Sequence, residues 1–165
     1  GADAGKPMVI EAKRIYAEPT GMPDGFFLAT EPEGSKFVEE VKKGAKKGDT
    51  VVVRGRIGGG AEPFVDGRAV FTIVGPGIKA CADRMDDPCE TPWDYCCETK
   101  SDIVLHSASV QVMDKSNKLM KMGMKDRGGL EELTDVSVVG KVTFADGKAM
   151  VVQATGVYVH PAAAK

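Results

Sequence analysis

The sequence predicts a mainly β protein whose strands close into a small barrel. Two segments carry this prediction, residues 50–57 and residues 135–142, because each alternates apolar with polar or charged residues at the two-residue period of a strand. Each segment also has a glycine near its centre, Gly55 or Gly140. A glycine inside a strand usually marks a bulge or a sharp bend, and such bends let a sheet curl onto itself.

Three further strands follow from the same alternation. Residues 64–74 are expected to pair with the first strand across a flexible, glycine-rich loop at residues 58–63, which makes a hairpin. Asp146 and Gly147 form a dipeptide that is typical of tight turns, and this turn joins the last two strands. The third, fourth and fifth strands are expected at residues 107–113, 136–144 and 150–160.

Helical signals are confined to two places. Ser35 is the expected N-cap of a helix over residues 35–47, which has one apolar face and four lysines at its C-terminal end, where the helix dipole favours cations. Residues 119–133 lie between the third and fourth strands and carry apolar residues interrupted by glycines. They are expected to form short helical turns at most.

The length of 165 residues fits one domain, which can bury about 70% of its unfolded surface without a metal or a disulfide. We place this domain at residues 35–160, with a cysteine-rich insertion at residues 75–106. A proline-rich, extended arm precedes it at residues 1–34 and includes a candidate edge strand at residues 8–10. Residues 161–165 form a short tail.

The charge and hydropathy of the chain exclude some partners. The 22 basic and 24 acidic residues give a net charge of −2, so any attraction to nucleic acid or to an anionic membrane would have to be local. The apolar runs are far shorter than the ~20 residues that cross a bilayer, so no membrane span is expected. The chain begins with Gly-Ala-Asp and without methionine, as an exported protein does after its signal is removed, or as a tag remnant does.

The strand pattern resembles the OB-fold, a five-stranded Greek-key barrel, over residues 48–160. Residues 48–57 read Gly-Asp-x-Val-x-Val-x-Gly-x-Ile and are similar to the opening of the anticodon-binding and related nucleic-acid-binding branch. The resemblance implies that single-stranded nucleic acid or an oligosaccharide binds on the second and third strands and on the adjoining loops. The ligand-binding residues that it implies in this chain are Arg54, Arg56, Phe64, Arg68, Thr72 and Gln111.

Composition gives this binding surface less support than the resemblance does. Proteins that bind single strands stack bases on aromatic rings, each stacked base contributing roughly 1–3 kcal/mol, and the expected strand faces carry almost no rings. Arginines such as Arg54, Arg56 and Arg68 could contact phosphates. Arginines on the solvent side of a strand are more often simply solvated, so both interpretations stay open.

Four cysteines, Cys81, Cys89, Cys96 and Cys97, have spacings of eight, seven and one, which match neither zinc ribbons nor C-x-x-C oxidoreductases. The favoured interpretation is two disulfides that join Cys81 and Cys89 to Cys96 and Cys97 in one of two arrangements, because a bond between adjacent cysteines would be strained. A metal site formed by the four cysteines and His106 is the second interpretation, and reduced thiols are the third. Disulfides favour an extracytoplasmic location, whether periplasmic, secreted or lipid-anchored.

Residues 87–97 lie outside the OB pattern. They are similar to a cysteine-rich insertion in a family of bacterial proteins with this barrel, and that resemblance implies secretion but no activity. Residues 81–102 hold seven acidic and two basic residues, a net charge of −5, which would repel phosphates and attract cations. Trp93 and Tyr95 are expected to pack as a satellite core, or else to form a platform for a sugar or a peptide.

Catalysis has little support, because the chain has only two histidines, His106 and His160, and no catalytic motif. We therefore expect a non-catalytic binding module of the OB type, without a cofactor. One alternative is a metal- or redox-active protein built on the cysteines. Another is a structural module that binds proteins of the cell envelope.

Overall fold

The computed structural model describes residues 22–84 and 89–161, and strands dominate them. A 3₁₀ turn at Cys81–Asp83 opens the cysteine-rich insertion. The helices of the described residues are α1 (Val38–Lys42) and α2 (Lys100–His106). The strands are β1 (Lys36–Phe37), β2 (Thr50–Ile57), β3 (Val70–Val74), β4 (Ser107–Gln111), β5 (Asp135–Ala145) and β6 (Met150–Val159).

Five of the strands form a closed barrel. They follow the order β2-β3-β4-β6-β5, and the ring closes because β5 also pairs with β2. Neighbouring strands in the ring are antiparallel except for β4 and β6, which are parallel. The short β1 lies parallel to β2 outside this ring. The result is a closed five-stranded barrel that is compatible with an OB-like fold.

The alternation seen in the sequence fills the barrel. In β2 the residues Val53 and Ile57 are fully buried, whereas Arg54 and Arg56, which lie between them in the chain, face outward. The other strands follow the same rule, since the inward side of a barrel strand recurs every two residues. Fully buried inward residues of the neighbouring strands are Phe71, Ile73, Val110, Val136, Val138, Val142, Val152 and Val157.

Strand positions were largely predictable. The first expected strand is β2 with the expected bounds. Strand β5 is one residue longer than expected at each end, β6 ends one residue earlier than expected, and β4 ends two residues earlier. The expected strand at 64–74 is shorter, because Gly67 takes a φ of +71° in a turn that leaves only Phe64 bridged to Phe71. The cysteine-rich insertion lies between β3 and β4. These are the second and third barrel strands in chain order, because the short β1 lies outside the ring.

The helix expected at residues 35–47 is wrong in its bounds. Ser35 does not cap it, because its Oγ lies 3.0 Å from Ser137 Oγ on β5, and Lys36–Phe37 pairs with β2 instead. Residues 119–133, expected to form short helical turns at most, contain no helix, and Asp126 there has a φ of +67°. Backbone with positive φ cannot continue a right-handed helix.

Helix α2 was not expected. It begins after Thr99, whose Oγ1 accepts a hydrogen bond from the backbone N–H of Asp102 at 3.1 Å. Lys42 of α1 holds the far end of α2, since its Nζ donates to the carbonyl oxygens of Val104 and Leu105, and also to that of Lys148. Burial lowers the pKa of Lys42 to about 8. These contacts join α1, α2 and the β5–β6 turn.

Part of the N-terminal arm packs on the barrel. Met22 and Phe26 are buried in the core. Backbone hydrogen bonds of 2.8 Å run from Leu28 N–H to the carbonyl of Val157 and from Val157 N–H to the carbonyl of Phe26. Residues 26–28 therefore extend alongside β6, and the expected edge strand at residues 8–10 lies outside the described residues.

Gly140 lies at an irregularity of the barrel, as its position in the sequence predicts. The register of β5 against β6 shifts between Val139 and Gly140. A Cβ atom on Gly140 would lie 2.2 Å from the carbonyl oxygen of Gln153. Gly55 lies in a regular ladder instead, where a Cβ would approach the backbone of Val74 to 3.1 Å.

Replacing Gly140 with alanine should lower the free energy of unfolding by about 1–3 kcal/mol, because the new methyl group forces the β6 backbone to move. Gly44→Ala is the matched control, since a Cβ there meets no atom within 4 Å and should change stability by less than about 0.5 kcal/mol. Chemical denaturation followed by circular dichroism measures both. Equal stabilities of the two variants would contradict the β5–β6 register.

Candidate functional site

The cysteine-rich insertion is packed on the outer face of β3 through Tyr95. This side chain is 2% exposed and forms a small apolar cluster with Val74 and Ala80. Burial raises the pKa of Tyr95 to about 12, so the phenol is neutral at physiological pH. The expected satellite core is therefore confirmed for Tyr95.

Trp93 provides a second contact, to the loop after β2. Its Nε1–H donates to the carbonyl oxygen of Ala61 at 2.7 Å, and its own carbonyl accepts from Gly59 N–H at 3.4 Å. A Cβ on Gly58 would lie 2.7 Å from that carbonyl oxygen and 3.2 Å from Cε1 of Tyr95. The glycines of this loop thus permit close approach of the insertion, which corrects the expectation of a flexible loop.

Backbone hydrogen bonds hold together two limbs of the insertion, residues 81–84 and residues 92–98. Cys81 N–H donates to the carbonyl of Asp94, and Ala82 N–H donates to the carbonyl of Pro92, both at 2.8 Å. These bonds place the first cysteine next to the segment that leads to Cys96. The limbs do not need a disulfide to meet.

Ion pairs reinforce this arrangement. Arg84 Nη2 lies 2.6 Å from Glu98 Oε2 and bridges the two limbs. Arg56 Nη1 of β2 lies 2.8 Å from Asp83 Oδ2 and ties the insertion to the barrel. Asp83 also accepts a hydrogen bond from Ala80 N–H, so its carboxylate fixes the turn in which Cys81 lies.

Three sulfur atoms converge in the space that these contacts enclose. The Sγ atoms of Cys81, Cys89 and Cys96 all lie within 4.8 Å of one another. Cys96 Sγ is 3.3 Å from Cys81 Sγ and 3.9 Å from Cys89 Sγ. We call these three residues the thiol site. Cys81 is buried at its floor, Cys89 is half-buried, and Cys96 is exposed.

Only three of the five residues considered as disulfide or metal partners in the sequence belong to the thiol site. No disulfide bond joins any two of the four cysteines, and Cys81 and Cys89 both approach Cys96 rather than dividing between Cys96 and Cys97. Cys97 is exposed and lies outside the thiol site. His106 is not a member either, because its Nδ1 lies 2.8 Å from Glu39 Oε2 at the α1–α2 contact.

The three thiols differ in acidity. Hydrogen bonds from the side chain and the backbone of Thr91 lower the pKa of Cys89, and Thr91 Oγ1 lies 3.5 Å from the sulfur. Burial raises the pKa of Cys81, and the neighbouring thiols raise the pKa of Cys96 to about 12. Cys89 is therefore the member of the site that most readily becomes a thiolate. The sequence did not identify Thr91 as a hydrogen-bond partner of Cys89, although the two residues are only two positions apart.

The two barrel arginines that the resemblance implied as phosphate contacts have carboxylate partners. Arg54 Nη2 lies 3.0 Å from Asp135 Oδ2, and its guanidinium lies 5.5 Å from the centre of the Phe37 ring. Arg56 pairs with Asp83 in the insertion. A phosphate would have to displace a carboxylate at each position, which reduces the favourable free energy of binding.

The other implied binding residues do not form an open aromatic platform. Phe64 is 9% exposed and packs against Phe71, with their ring centres 5.9 Å apart. Thr72 lies beneath the loop after β2, because Gly58 N–H donates to its carbonyl and its own N–H donates to Pro63. Arg68 is exposed in the turn before β3, and Gln111 is half-buried at the end of β4.

Comparison with known proteins adds no assignment: neither the protein-family models nor the curated proteins compared with this chain match it. In the part of the chain that the structure describes, neither helix is long or apolar enough to cross a bilayer.

Of the three cysteines in the thiol site, Cys89 should be alkylated fastest by iodoacetamide in the reduced protein, because a lower pKa gives more thiolate at a given pH. Thr91→Val removes one hydrogen-bonding group, raises the pKa, and should slow labelling of Cys89 about two- to fivefold at pH 7.5. Peptide mapping by mass spectrometry measures the rate at each cysteine.

Thr155→Val is the matched control, because Thr155 Oγ1 donates to the carbonyl of Val139 on the barrel and does not contact the thiol site. Labelling of Cys89 should be unchanged in this variant. Faster labelling of Cys96 than of Cys89 in the unmodified protein would contradict the order of acidity.

Proposed function

We propose that this protein is a non-catalytic binding module that holds one thiophilic d10 metal ion, zinc(II) or copper(I), through Cys81, Cys89 and Cys96. The observation that carries the proposal is the convergence of the three Sγ atoms within 4.8 Å. Thiolates are soft ligands that select these ions over magnesium, calcium and manganese.

The spacing of the sulfurs fits one shared ion. A metal–sulfur distance of about 2.3 Å in tetrahedral geometry separates two ligand sulfurs by about 3.8 Å. The Cys89–Cys96 distance of 3.9 Å is close to this value, and the Cys81–Cys96 distance of 3.3 Å needs to lengthen by about half an ångström. The exposed Cys96 and half-buried Cys89 leave a route by which the ion reaches Cys81.

The insertion is organised for binding before the ion arrives. Tyr95, Trp93 and the Arg56–Asp83 pair hold it on the barrel, and the Arg84–Glu98 pair joins its limbs. Preorganised ligands lose less conformational freedom on binding than ligands on a flexible chain. The sequence of residues 81–102 carries a net charge of −5, which also favours binding of a cation over binding of an anion.

We further propose that the barrel has the Greek-key topology of the OB-fold. The ring order with parallel β4 and β6 supports this finer assignment. Binding of single-stranded nucleic acid or an oligosaccharide to the barrel stays a prediction, which the Arg54 and Arg56 ion pairs make less favourable. A location outside the cytoplasm and a protein partner in the cell envelope also stay predictions.

The reduced protein should bind one zinc ion per chain, and Cys81→Ser, Cys89→Ser and Cys96→Ser should each weaken zinc affinity at least about tenfold. Binding should weaken as pH falls, because protons compete with the metal for the thiolates. Competition with a chromogenic zinc chelator measures affinity and stoichiometry together.

Cys97→Ser is the control for these variants, because it removes the adjacent thiol while leaving the thiol site intact. It should retain zinc affinity within about twofold. If the reduced protein fails to bind zinc or copper(I), or if Cys97→Ser weakens affinity as much as Cys96→Ser does, the proposed site is wrong.

A further inference from the structure

Cys96 takes part in both short sulfur contacts of the thiol site, and this gives the site a second property. Its Sγ lies 3.3 Å from that of Cys81 and 3.9 Å from that of Cys89. We propose that metal binding and disulfide formation exclude each other at Cys96, so that a low-molecular-weight disulfide of the glutathione type empties the metal site. This inference concerns regulation of the thiol site and rests on the proposed function.

Exclusion follows from the number of available ligands. A disulfide between Cys96 and Cys81, or between Cys96 and Cys89, consumes two of the three thiolates. The remaining single thiolate cannot hold the ion with useful affinity, because removal of even one ligand from such a site weakens binding strongly. The sulfurs of both pairs already lie within 3.9 Å, so each pair needs to close by less than about 2 Å to reach the S–S bond length of about 2 Å.

The chemistry balances with the added disulfide, R–S–S–R, as the oxidant. The thiolate of Cys89 attacks one sulfur, so that a Cys89–S–S–R bond forms and one RS⁻ leaves. The thiolate of Cys96 then attacks Cys89 Sγ, which forms the Cys89–Cys96 disulfide and releases the second RS⁻. Two protein thiolates are oxidised, R–S–S–R is reduced by two electrons, both RS⁻ ions take up protons from water, and the metal ion leaves.

The structure also provides a route to a second disulfide isomer. Cys81 Sγ lies 3.3 Å from Cys96 Sγ and, once deprotonated, can attack it and regenerate the Cys89 thiolate. This exchange changes no oxidation state.

The test begins with the reduced full chain, loaded with one equivalent of zinc and freed of excess metal. Oxidised glutathione is then added at pH 7.5, and released zinc is followed with a chromogenic chelator. Trp93 is the only tryptophan and lies three residues before Cys96, so its fluorescence reports on the same site. We expect one zinc released per disulfide formed, a mass lower by two hydrogens than that of the reduced protein, and peptides that link Cys96 to Cys81 or Cys89.

Two variants sharpen the result. Cys97→Ser should release zinc and form the same disulfide at an unchanged rate. In the apo form of Cys96→Ala, the glutathione adduct at Cys89 should persist, and intramolecular disulfide formation should slow at least about tenfold, because the resolving thiol is missing. Rapid formation of a disulfide in Cys96→Ala would overturn the role of Cys96.

The outcomes separate the two proposals. Failure of the reduced protein to take up either zinc or copper(I) in the loading step would refute the proposed function. Zinc uptake followed by retention of zinc in oxidised glutathione would overturn only the exclusion at Cys96. Zinc release accompanied by a disulfide to Cys97 instead of Cys81 or Cys89 would also overturn it.

Discussion

The arrangement of the thiol site depends on how the cysteine-rich insertion packs against the barrel. Tyr95 is buried beside Val74 on the outer face of β3, and Gly58 permits the close approach of the neighbouring Trp93 carbonyl oxygen, which would lie 2.7 Å from a Cβ at that position. Burial of an aromatic side chain contributes strongly to the stability of a fold. Here the buried side chain belongs to a segment that has little regular structure. The insertion is thereby an extension of the barrel surface, and the positions of its cysteines follow from the barrel.

That packing is why we propose that the cysteine-rich insertion, rather than the outer face of the barrel, is the binding surface. Arg56 points outward from β2, as a phosphate-binding residue would, but its partner is Asp83 of the insertion. The same carboxylate accepts a hydrogen bond from Ala80 N–H next to Cys81. A residue that resembles part of a nucleic-acid-binding face thus contributes to holding the first cysteine of the thiol site. An acidic, thiol-rich insertion suits a soft cation better than a polyanion.

Local patterns predicted the barrel strands, because alternation with a period of two reports burial directly from neighbouring residues. The first strand, Thr50–Ile57, was predicted with its exact bounds, and α2 could have been found from Thr99 and Asp102. The thiol site could not, since it depends on contacts such as Cys81 N–H to the carbonyl of Asp94, which pair residues across an irregular loop. Spacing in the sequence cannot show that two cysteines approach the same third one.

X-ray absorption at the zinc K-edge tests the central claim most directly, because it counts the atoms bound to the metal. The zinc-loaded protein should show three sulfur neighbours at about 2.3 Å, and Cys96→Ser should lose one of them. A coordination shell made only of nitrogen and oxygen, or one that keeps three sulfurs in Cys96→Ser, would contradict the account.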